Sequence, residues 1–415
     1  MRGNAVILLA LFLLFAFLSP AAHADTVVTT INLGNTGTQG PPVYDPSNGD
    51  LYLSNLGTLN QATISVISGS SNSVVANISL PENAAPSPPV LGPNGDIYFS
   101  YENDLIGVIS GSTNRIVANI TVGAGAGAPV FDSGNGILYV SSVVTQTVAV
   151  ISTSNNAVIS TLTVPAPGVP VVDPVNGNVY FPSKAGLTTV LGATNAINET
   201  LHISGGAGTP CVDTTNGNLY VPGGLSSVLV VSGTTNQVLA NTTTGAAPWT
   251  PVYDSSNGNM YVAVRTTATV LVISPSSNQV VANLSVGSNP QLPAVNTSNG
   301  DVYVPDGDGI TVISGTSVVG TVTVGSGSQT PAFDTANGMG YVPNENDGTV
   351  SVLGPSSVSS TATTRAASSS SSSSGGGFAV SFSYLWVVAI DFAIVALLTG
   401  ALLIRRRSAA SWRRS

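Results

Sequence analysis

One phrase of sequence, Asp-x-x-Asn-Gly-x-Leu-Tyr, recurs eight times along this chain with small changes. Clear copies occupy residues 45–52, 132–139 and 173–180. The tyrosines that end successive copies are 46, 41, 41, 40, 41, 42 and 38 residues apart. A period near 40 residues is typical of solenoids, propellers and similar arrays. Whatever fold the chain adopts must therefore repeat one structural unit along its length.

The content of each unit predicts short β-strands. An apolar run leads into the phrase, and its Asn-Gly pair supplies the positive φ angles of a tight hairpin turn. The tyrosine lies in a second β-branched run, and a third follows, as in residues 147–152. A Ser/Gly/Asn turn leads to a fourth run, as in residues 280–286. The repeat has no helical period, so four strands per unit predict the blade of a β-propeller.

The ends of the repeat region predict how the ring closes. The eighth unit supplies three strands, the last ending near Leu353, and then gives way to serines. Residues 25–34 align with the fourth strand of another unit, residues 278–287. We therefore expect an all-β, eight-bladed β-propeller whose N-terminal strand completes the last blade and removes a free edge. A seven-bladed ring with one irregular unit is the alternative.

These motifs resemble the YVTN-repeat β-propeller family of surface-layer-type cell-envelope proteins. The likeness covers about 330 of the 415 residues and rests on Asp-x-x-Asn-Gly-x-Leu-Tyr-Val, Val-x-Val-Ile-Ser and Thr-Asn-x-Val-Val-Ala-x-Ile. The family's Tyr-Val-Thr-Asn quartet is present only in altered form, as at residues 52–55, 139–142 and 341–344. The resemblance implies a structural or adhesive role at the cell surface and no shared reaction.

The N-terminal residues predict export. Arg2 precedes an apolar run at residues 5–18, and Ala22-His23-Ala24 follows. This order is typical of a secretory signal peptide at residues 1–24. A membrane anchor is the alternative, although the run is short for a span of about 20 residues.

The C-terminal residues predict an anchor. Residues 355–377 are mostly Ser, Thr and Gly, as in a flexible stalk. Residues 378–404 are almost wholly apolar and precede three arginines, so they predict a single transmembrane helix with a basic cytoplasmic tail at 405–415. Asp391 lies inside this span, where it pairs with a partner helix or marks an ion path, or else stays protonated or snorkels to the interface. The predicted location is the cell surface, with residues 25–354 as the ectodomain.

The charges of the ectodomain exclude several classes of function. Residues 25–354 hold three basic and 18 acidic residues, a formal charge of −15, which excludes a basic nucleic-acid surface. Cys211 is the only cysteine and the two histidines are His23 and His202, so neither a disulfide scaffold nor a His-rich zinc site is available. No phosphate-cradling or dinucleotide motif is present, and no cofactor is expected.

Comparison of the repeats predicts two unlike faces. The Asp-x-x-Asn-Gly turns and the turns between strands three and four share one face and are nearly uniform. The loops on the other face differ in every unit, and recognition usually resides in such loops. Drift of unconstrained loops is the alternative. The candidate ligand-binding residues on this face are Tyr101, Glu102, Asp104, Lys184, Trp249, Arg265, Asp306, Asp308, Asn344, Glu345 and Asp347.

Metal binding and catalysis are weakly supported. The turn aspartates fit Asx turns without a metal, and Asp306-Gly-Asp308 resembles half a calcium loop but lacks the later glutamate. Glu102 with Asp104, or Glu345 with Asp347, could serve a hydrolase. Adjacent acids on one loop are more often only solvated, so no metal site and no enzyme activity are expected.

Six Asn-x-Ser/Thr sequences are candidate glycosylation sites: Asn77, Asn119, Asn198, Asn241, Asn283 and Asn296. Four of them, at 77, 119, 241 and 283, share one place in the fourth strand, where a glycan would also block edge pairing. Chance is the alternative, because Ser, Thr and Asn are abundant here.

Together these observations favour a membrane-anchored envelope or surface-layer component that contacts proteins or glycans, and a lattice component of this kind is expected to self-associate. An adhesion or ligand-binding receptor that uses the variable loops is the second hypothesis. A propeller hydrolase or lyase is the third. A sparsely charged ectodomain should also tolerate acid.

Overall fold

A computed structural model describes residues 25–34, 37–38, 40–57, 61–224, 226–245, 247–307 and 309–355. These residues form eight four-stranded antiparallel sheets, each the blade of an all-β propeller. Two single 3₁₀ turns, Pro93–Gly95 and Arg265–Thr267, are the helical elements of the described part of the chain. The prediction of an eight-bladed ring is confirmed, and the seven-bladed alternative is wrong.

Each blade contains four strands in chain order from the centre of the ring outward, except that the outer strand of blade 8 is the first strand of the chain, β1 (Asp25–Asn32). Blade 1 contains β2 (Val43–Asp45), β3 (Asp50–Asn55), β4 (Thr63–Ser68) and β5 (Ser73–Ser79), and blade 2 contains β6 (Val90–Leu91), β7 (Asp96–Tyr101), β8 (Leu105–Ser110) and β9 (Arg115–Thr121). Blade 3 contains β10 (Val130–Asp132), β11 (Ile137–Ser142), β12 (Thr147–Ser152) and β13 (Ala157–Thr163), and blade 4 contains β14 (Val171–Val172), β15 (Val179–Ser183), β16 (Gly186–Leu191) and β17 (Ala196–His202). Blade 5 contains β18 (Cys211–Asp213), β19 (Asn218–Gly223), β20 (Ser227–Val231) and β21 (Val238–Thr243), and blade 6 contains β22 (Val252–Asp254), β23 (Asn259–Val264), β24 (Thr269–Ser274) and β25 (Gln279–Ser285). Blade 7 contains β26 (Ala294–Asn296), β27 (Asp301–Pro305), β28 (Gly309–Ser314) and β29 (Ser317–Thr323). Blade 8 contains β30 (Ala332–Phe333), β31 (Gly340–Asn344), β32 (Thr349–Pro355) and β1.

The ring closes where the sequence predicts. β1 pairs antiparallel with β32, from Asp25 opposite Pro355 to Asn32 opposite Thr349. Ile31 is buried in an apolar cluster that joins blade 8 to Leu51 of blade 1. The N-terminal strand therefore supplies both the fourth strand of the last blade and part of the seam with the first.

The turn phrase forms the hairpin between the first two strands of a blade. In blade 1 the Asp45 carboxylate accepts a hydrogen bond from the Ser47 amide at 2.9 Å, and the Asn48 side chain accepts one from the Asp50 amide at 2.8 Å. Gly49 has a φ of 77°, which a side chain would oppose. These local bonds explain the recurrent Asp, Asn and Gly without any ligand.

Apolar residues of the second and third strands fill the space between neighbouring blades. Tyr98 and Val108 of blade 2, for example, share a cluster with Leu138 and Ile151 of blade 3. Similar clusters recur around the ring, so each blade packs its two faces against its neighbours. The core is therefore a series of interfaces between blades, as expected for a propeller.

The outer strand of every blade, including β1 in blade 8, contains a β-bulge at the same place in its pairing with the third strand. In blade 1, Ala76 pairs with Val66 and Val74 pairs with Ile67, which leaves Val75 unpaired. Most of these extra residues are apolar and exposed: Val75 is 52% exposed and Val117 is 56% exposed. The unpaired residues are Val28, Val75, Val117, Ile159, Asn198, Leu239, Val281 and Val319.

The predicted signal peptide, transmembrane helix and basic tail lie outside the described residues, and so does the predicted stalk apart from Pro355. Within the described part of the chain, no helix has the length and apolar character needed to cross a membrane.

Candidate functional site

The propeller has two faces, which we name by their loops. The turn face carries the hairpins between the first and second strands and between the third and fourth strands of every blade. The variable face carries the loops between the second and third strands and the connections from blade to blade. Strand β1 begins and strand β32 ends on the turn face, with Asp25 opposite Pro355. Asp25 and Pro355 therefore lie on the turn face and not on the variable face.

The repeated tyrosines join neighbouring blades beneath the turn face. Their rings are fully buried, and the hydroxyl groups reach the next blade. The Tyr52 hydroxyl donates to Asn114 at 2.6 Å, and the Tyr98 hydroxyl donates to Asn156 at 2.9 Å. Both asparagines have a left-handed backbone, with φ of 53°. We call this pair of residues the Tyr–Asn contact.

The Tyr–Asn contact recurs around the ring and changes where the sequence changes. Tyr139, Tyr220 and Tyr341 bond Asn195, Asn278 and Asn72, at 2.6, 2.9 and 2.7 Å. Tyr180 donates instead to the Gly233 carbonyl, because the side chain of the equivalent Asn236 bonds Thr189 and Glu199. Tyr261 donates to the Gly315 carbonyl, because the turn of blade 7 has no asparagine at this position. In blade 7, Tyr303 donates to the carboxylate of Asp25 at the start of β1. Burial raises the pKa of Tyr341 to about 12, so its hydroxyl remains a donor.

On the variable face, the loop of blade 2 combines unusual backbone with a cavity. Glu102 and Asn103 are consecutive residues with positive φ, 50° and 65°. The Asn103 side chain accepts a bond from the Gly125 amide at 3.0 Å, which fixes the loop against the connection to blade 3. A cavity of about 360 Å³ is lined by both residues, Tyr101 and Ala126. Left-handed non-glycine pairs are uncommon and cluster at functional loops.

A second cluster on this face lies between blades 6 and 7. The Arg265 guanidinium sits 5.3 Å from the centroid of the Trp249 ring, and its Nε donates to Asn289 Oδ1 at 2.5 Å. The Gln291 side chain donates to the Asn289 carbonyl at 3.3 Å. Arg265 is exposed, and its two partners, Trp249 and Asn289, are uncharged. The cluster therefore presents an oriented positive charge on an otherwise acidic ectodomain.

The residues that enter the inner strands from the variable face are unevenly sized. Two residues before the proline that precedes each inner strand, the backbone amide donates to a carbonyl of the second strand in blades 2–8, as from Gly127 to Ser141 and from Gln329 to Pro343. From blade 1 to blade 8 this position holds Gly40, Ser87, Gly127, Gly168, Gly208, Trp249, Gln291 and Gln329. This position therefore holds small residues on blades 1–5 and large ones on blades 6–8, so the connections between blades differ around the ring.

Several predicted ligand-binding residues are engaged in the fold. Asp306 is 9% exposed and accepts bonds from the Gly287 amide and the Thr311 hydroxyl. Asn344 is fully buried and donates to Thr349 and Ser351. The Tyr101 ring is 4% exposed and its hydroxyl donates to Asn119.

The remaining predicted residues lie on the variable face as expected from strand order. Glu102, Lys184, Arg265 and Asp347 are exposed, and Asp104, Trp249 and Glu345 are half-buried. Two of the acids also hold neighbours: Glu345 accepts a bond from the Gln329 side chain, and Asp347 accepts one from the Ser326 amide. Asp308 lies outside the described residues.

No sequence motif predicts the larger of the two cavities, which opens near the turn face. It measures about 670 Å³ and is lined mainly by inner-strand residues such as Phe131, Val172 and Tyr253. Cys211 also lines it, and burial raises the pKa of that thiol to about 12. The thiol therefore stays protonated, unlike the thiolate that a nucleophilic cysteine requires.

The candidate glycosylation sites divide by exposure. Asn77, Asn119, Asn241 and Asn283 are exposed on the outer strands and pair with equivalent residues of the third strands. Asn198 is also exposed. Asn296 is 3% exposed, and its side chain accepts a bond from the Ser298 amide.

Within the described residues, no three His, Cys, Asp or Glu side chains gather as a metal site would require. Comparison of the chain with models of known protein families gives no match. Comparison with curated proteins gives none either.

Proposed function

We propose that this chain is a non-enzymatic, surface-anchored β-propeller that contacts envelope proteins or glycans through its variable face. The observation that carries the proposal is the position of Asp25 and Pro355, the first and last residues of the described ring. They pair at the turn face, on the opposite side from the variable loops. We therefore assign the contact with a partner to the variable face.

The Arg265 cluster supports recognition on this face. Its guanidinium is held by Trp249 and Asn289 and keeps other N–H groups available for an acceptor. Arginine and tryptophan are enriched among the residues that dominate binding energy at interfaces. The resemblance to surface-layer-type propellers agrees with this role.

Two of the acids on the variable face are held by other parts of the protein. Asp306 is tied to Gly287 and Thr311, and Glu345 is tied to Gln329. These contacts account for the carboxylates as parts of the loop structure.

The test is capture of partners by the full chain from its own envelope. We expect Arg265→Ala to lose the captured material, because it removes the oriented charge. Ser255→Ala is the matched control, since it changes an exposed residue on the turn face of the same blade. Equal capture by the parent protein and Arg265→Ala, or equal loss in the control, would contradict the proposal.

A ligand-binding receptor is the second candidate, favoured by the cavity beside Tyr101 and Glu102. A small soluble ligand that stabilises the protein, and whose binding is lost in Glu102→Gln but retained in Arg265→Ala, would support this alternative.

A further inference from the structure

The outer strands of the eight blades are open sheet edges. Each is hydrogen-bonded on one side only, to the third strand of its own blade. An open edge offers unpaired N–H and C=O groups to another chain, and proteins usually protect such edges with charge or bulk. The outer strands are β5, β9, β13, β17, β21, β25, β29 and β1.

Six of these strands carry a charged residue or an Asn-x-Ser/Thr sequence. Arg115, Glu199 and Asp25 supply charge to blades 2, 4 and 8. Asn77, Asn241 and Asn283 supply glycosylation sequences to blades 1, 5 and 6. A glycan at any of these positions would block strand addition by its bulk.

Two outer strands have neither form of protection. Strand β13 of blade 3 reads Ala-Val-Ile-Ser-Thr-Leu-Thr, and β29 of blade 7 reads Ser-Val-Val-Gly-Thr-Val-Thr. After the bulge, residues 160–163 and 320–323 run as regular strand. Val158 and Ile159 are 39% and 52% exposed, and Val318 is 40% exposed. The two edges are alike in length, in β-branched composition and in lack of charge.

The two unprotected edges lie on opposite sides of the ring. Each blade contacts the blades next to it in chain order, and blade 8 contacts blade 1. Blades 3 and 7 are therefore separated by three blades in either direction. Because residues 25–354 carry a formal charge of −15, two copies repel each other except where their contact surfaces lack charge.

We propose that β13 and β29 are self-association edges, through which copies of this chain in the same orientation join by parallel strand pairing into rows, because both strands run from the turn face to the variable face. The partner is a second copy, because the two edges match each other and stand opposite, so each added copy exposes a new edge. Four regular residues per edge make a weak contact in solution. Anchoring to a surface, as proposed above, would raise the effective concentration and strengthen the assembly.

The test introduces a lysine into each unprotected edge. Thr161→Lys with Thr321→Lys places a charge on the exposed face of β13 and β29. The matched control, Thr200→Lys with Thr30→Lys, changes exposed threonines at the same strand position in blades 4 and 8. Residues 25–355 close into a ring with their own core, so this fragment, purified with its native glycans, serves for sedimentation velocity over a wide concentration range.

We expect the parent fragment and the control to form oligomers as concentration rises, and the edge variant to remain monomeric. A parent that stays monomeric at every concentration, or a control that loses its oligomers as fully as the edge variant, would overturn the proposal. The edge variant leaves Trp249 and Arg265 untouched. Its capture of envelope partners should equal that of the parent, so failure of self-association is distinguishable from failure of the proposed function.

Discussion

The hydroxyl of Tyr341 in blade 8 donates a hydrogen bond to Asn72 of blade 1 at 2.7 Å, across the seam that closes the ring. The two residues are 269 positions apart in the chain. The same relationship joins five of the eight pairs of neighbouring blades, and in the other three the tyrosine hydroxyl donates to a carbonyl or a carboxylate of the next blade.

Tyr341→Phe should lower the free energy of unfolding by about 1–2 kcal/mol, because it removes the bond and leaves the Asn72 oxygen without that donor. Tyr101→Phe is the control, since its hydroxyl bonds exposed Asn119 within its own blade. Urea unfolding should show the smaller loss for the control. Equal losses would contradict a special contribution of the seam.

Ile31→Ala should cost about 2–4 kcal/mol, because Ile31 is 5% exposed and fills the seam between blades 8 and 1. Val28→Ala in the same strand should change the stability by less than about 0.5 kcal/mol, since Val28 is a bulge residue that is 47% exposed. Thermal or urea unfolding of the two variants distinguishes them. A large effect of Val28→Ala would show that the bulge residue packs in a way the structure does not describe.

Asp173→Asn should stabilise the protein at neutral pH. Asp173 is fully buried, one of its oxygens has no hydrogen-bond partner, and burial raises the pKa of its carboxyl. The folded state therefore holds this proton more tightly than the unfolded state, and the penalty at neutral pH disappears as the pH falls through the raised pKa. Asn296 occupies the equivalent place in blade 7, so an amide fits the turn.

The measurement is the urea midpoint of Asp173→Asn and of the parent at neutral pH and at about pH 3, below the ordinary aspartate pKa. The advantage of the variant should shrink or vanish in acid. Asp213→Asn is the control, because the Asp213 carboxylate accepts a bond from Asn216 at 2.8 Å, and an amide nitrogen there loses it. That variant should be destabilised at neutral pH. An acid-independent advantage of Asp173→Asn would rule out the burial explanation.

Glycan occupancy should follow exposure. Mass spectrometry of the protein from its own host should find glycans among Asn77, Asn119, Asn198, Asn241 and Asn283, and none on Asn296. The Asn296 side chain is 3% exposed and already bonded to its own turn. A glycan on Asn296 would mean that modification precedes folding of blade 7.

The repeat predicts much of this fold because each blade is built from local signals. The Asn-Gly turns, the tyrosine spacing and the match of residues 25–34 to a fourth strand predict eight blades and the closing strand. The Tyr–Asn contact is not visible in one repeat, because the partners belong to neighbouring blades. Asp306 and Asn344 likewise appear as free loop residues in the sequence, and only the folded loop turns their side chains inward. The cavity of about 670 Å³ near the turn face is lined by the inner strands of several blades, so no single repeat predicts it.

The pairing of β1 with β32 has a mechanical consequence. Strand β32 has hydrogen-bonded neighbours on both sides, β31 and β1, along most of its length. Tension applied to the chain beyond Pro355 would pull along this strand and load both ladders in shear, whereas tension on an outer strand would peel its bonds one at a time. A propeller closed in this way is well suited to withstand drag while held by its C-terminal end.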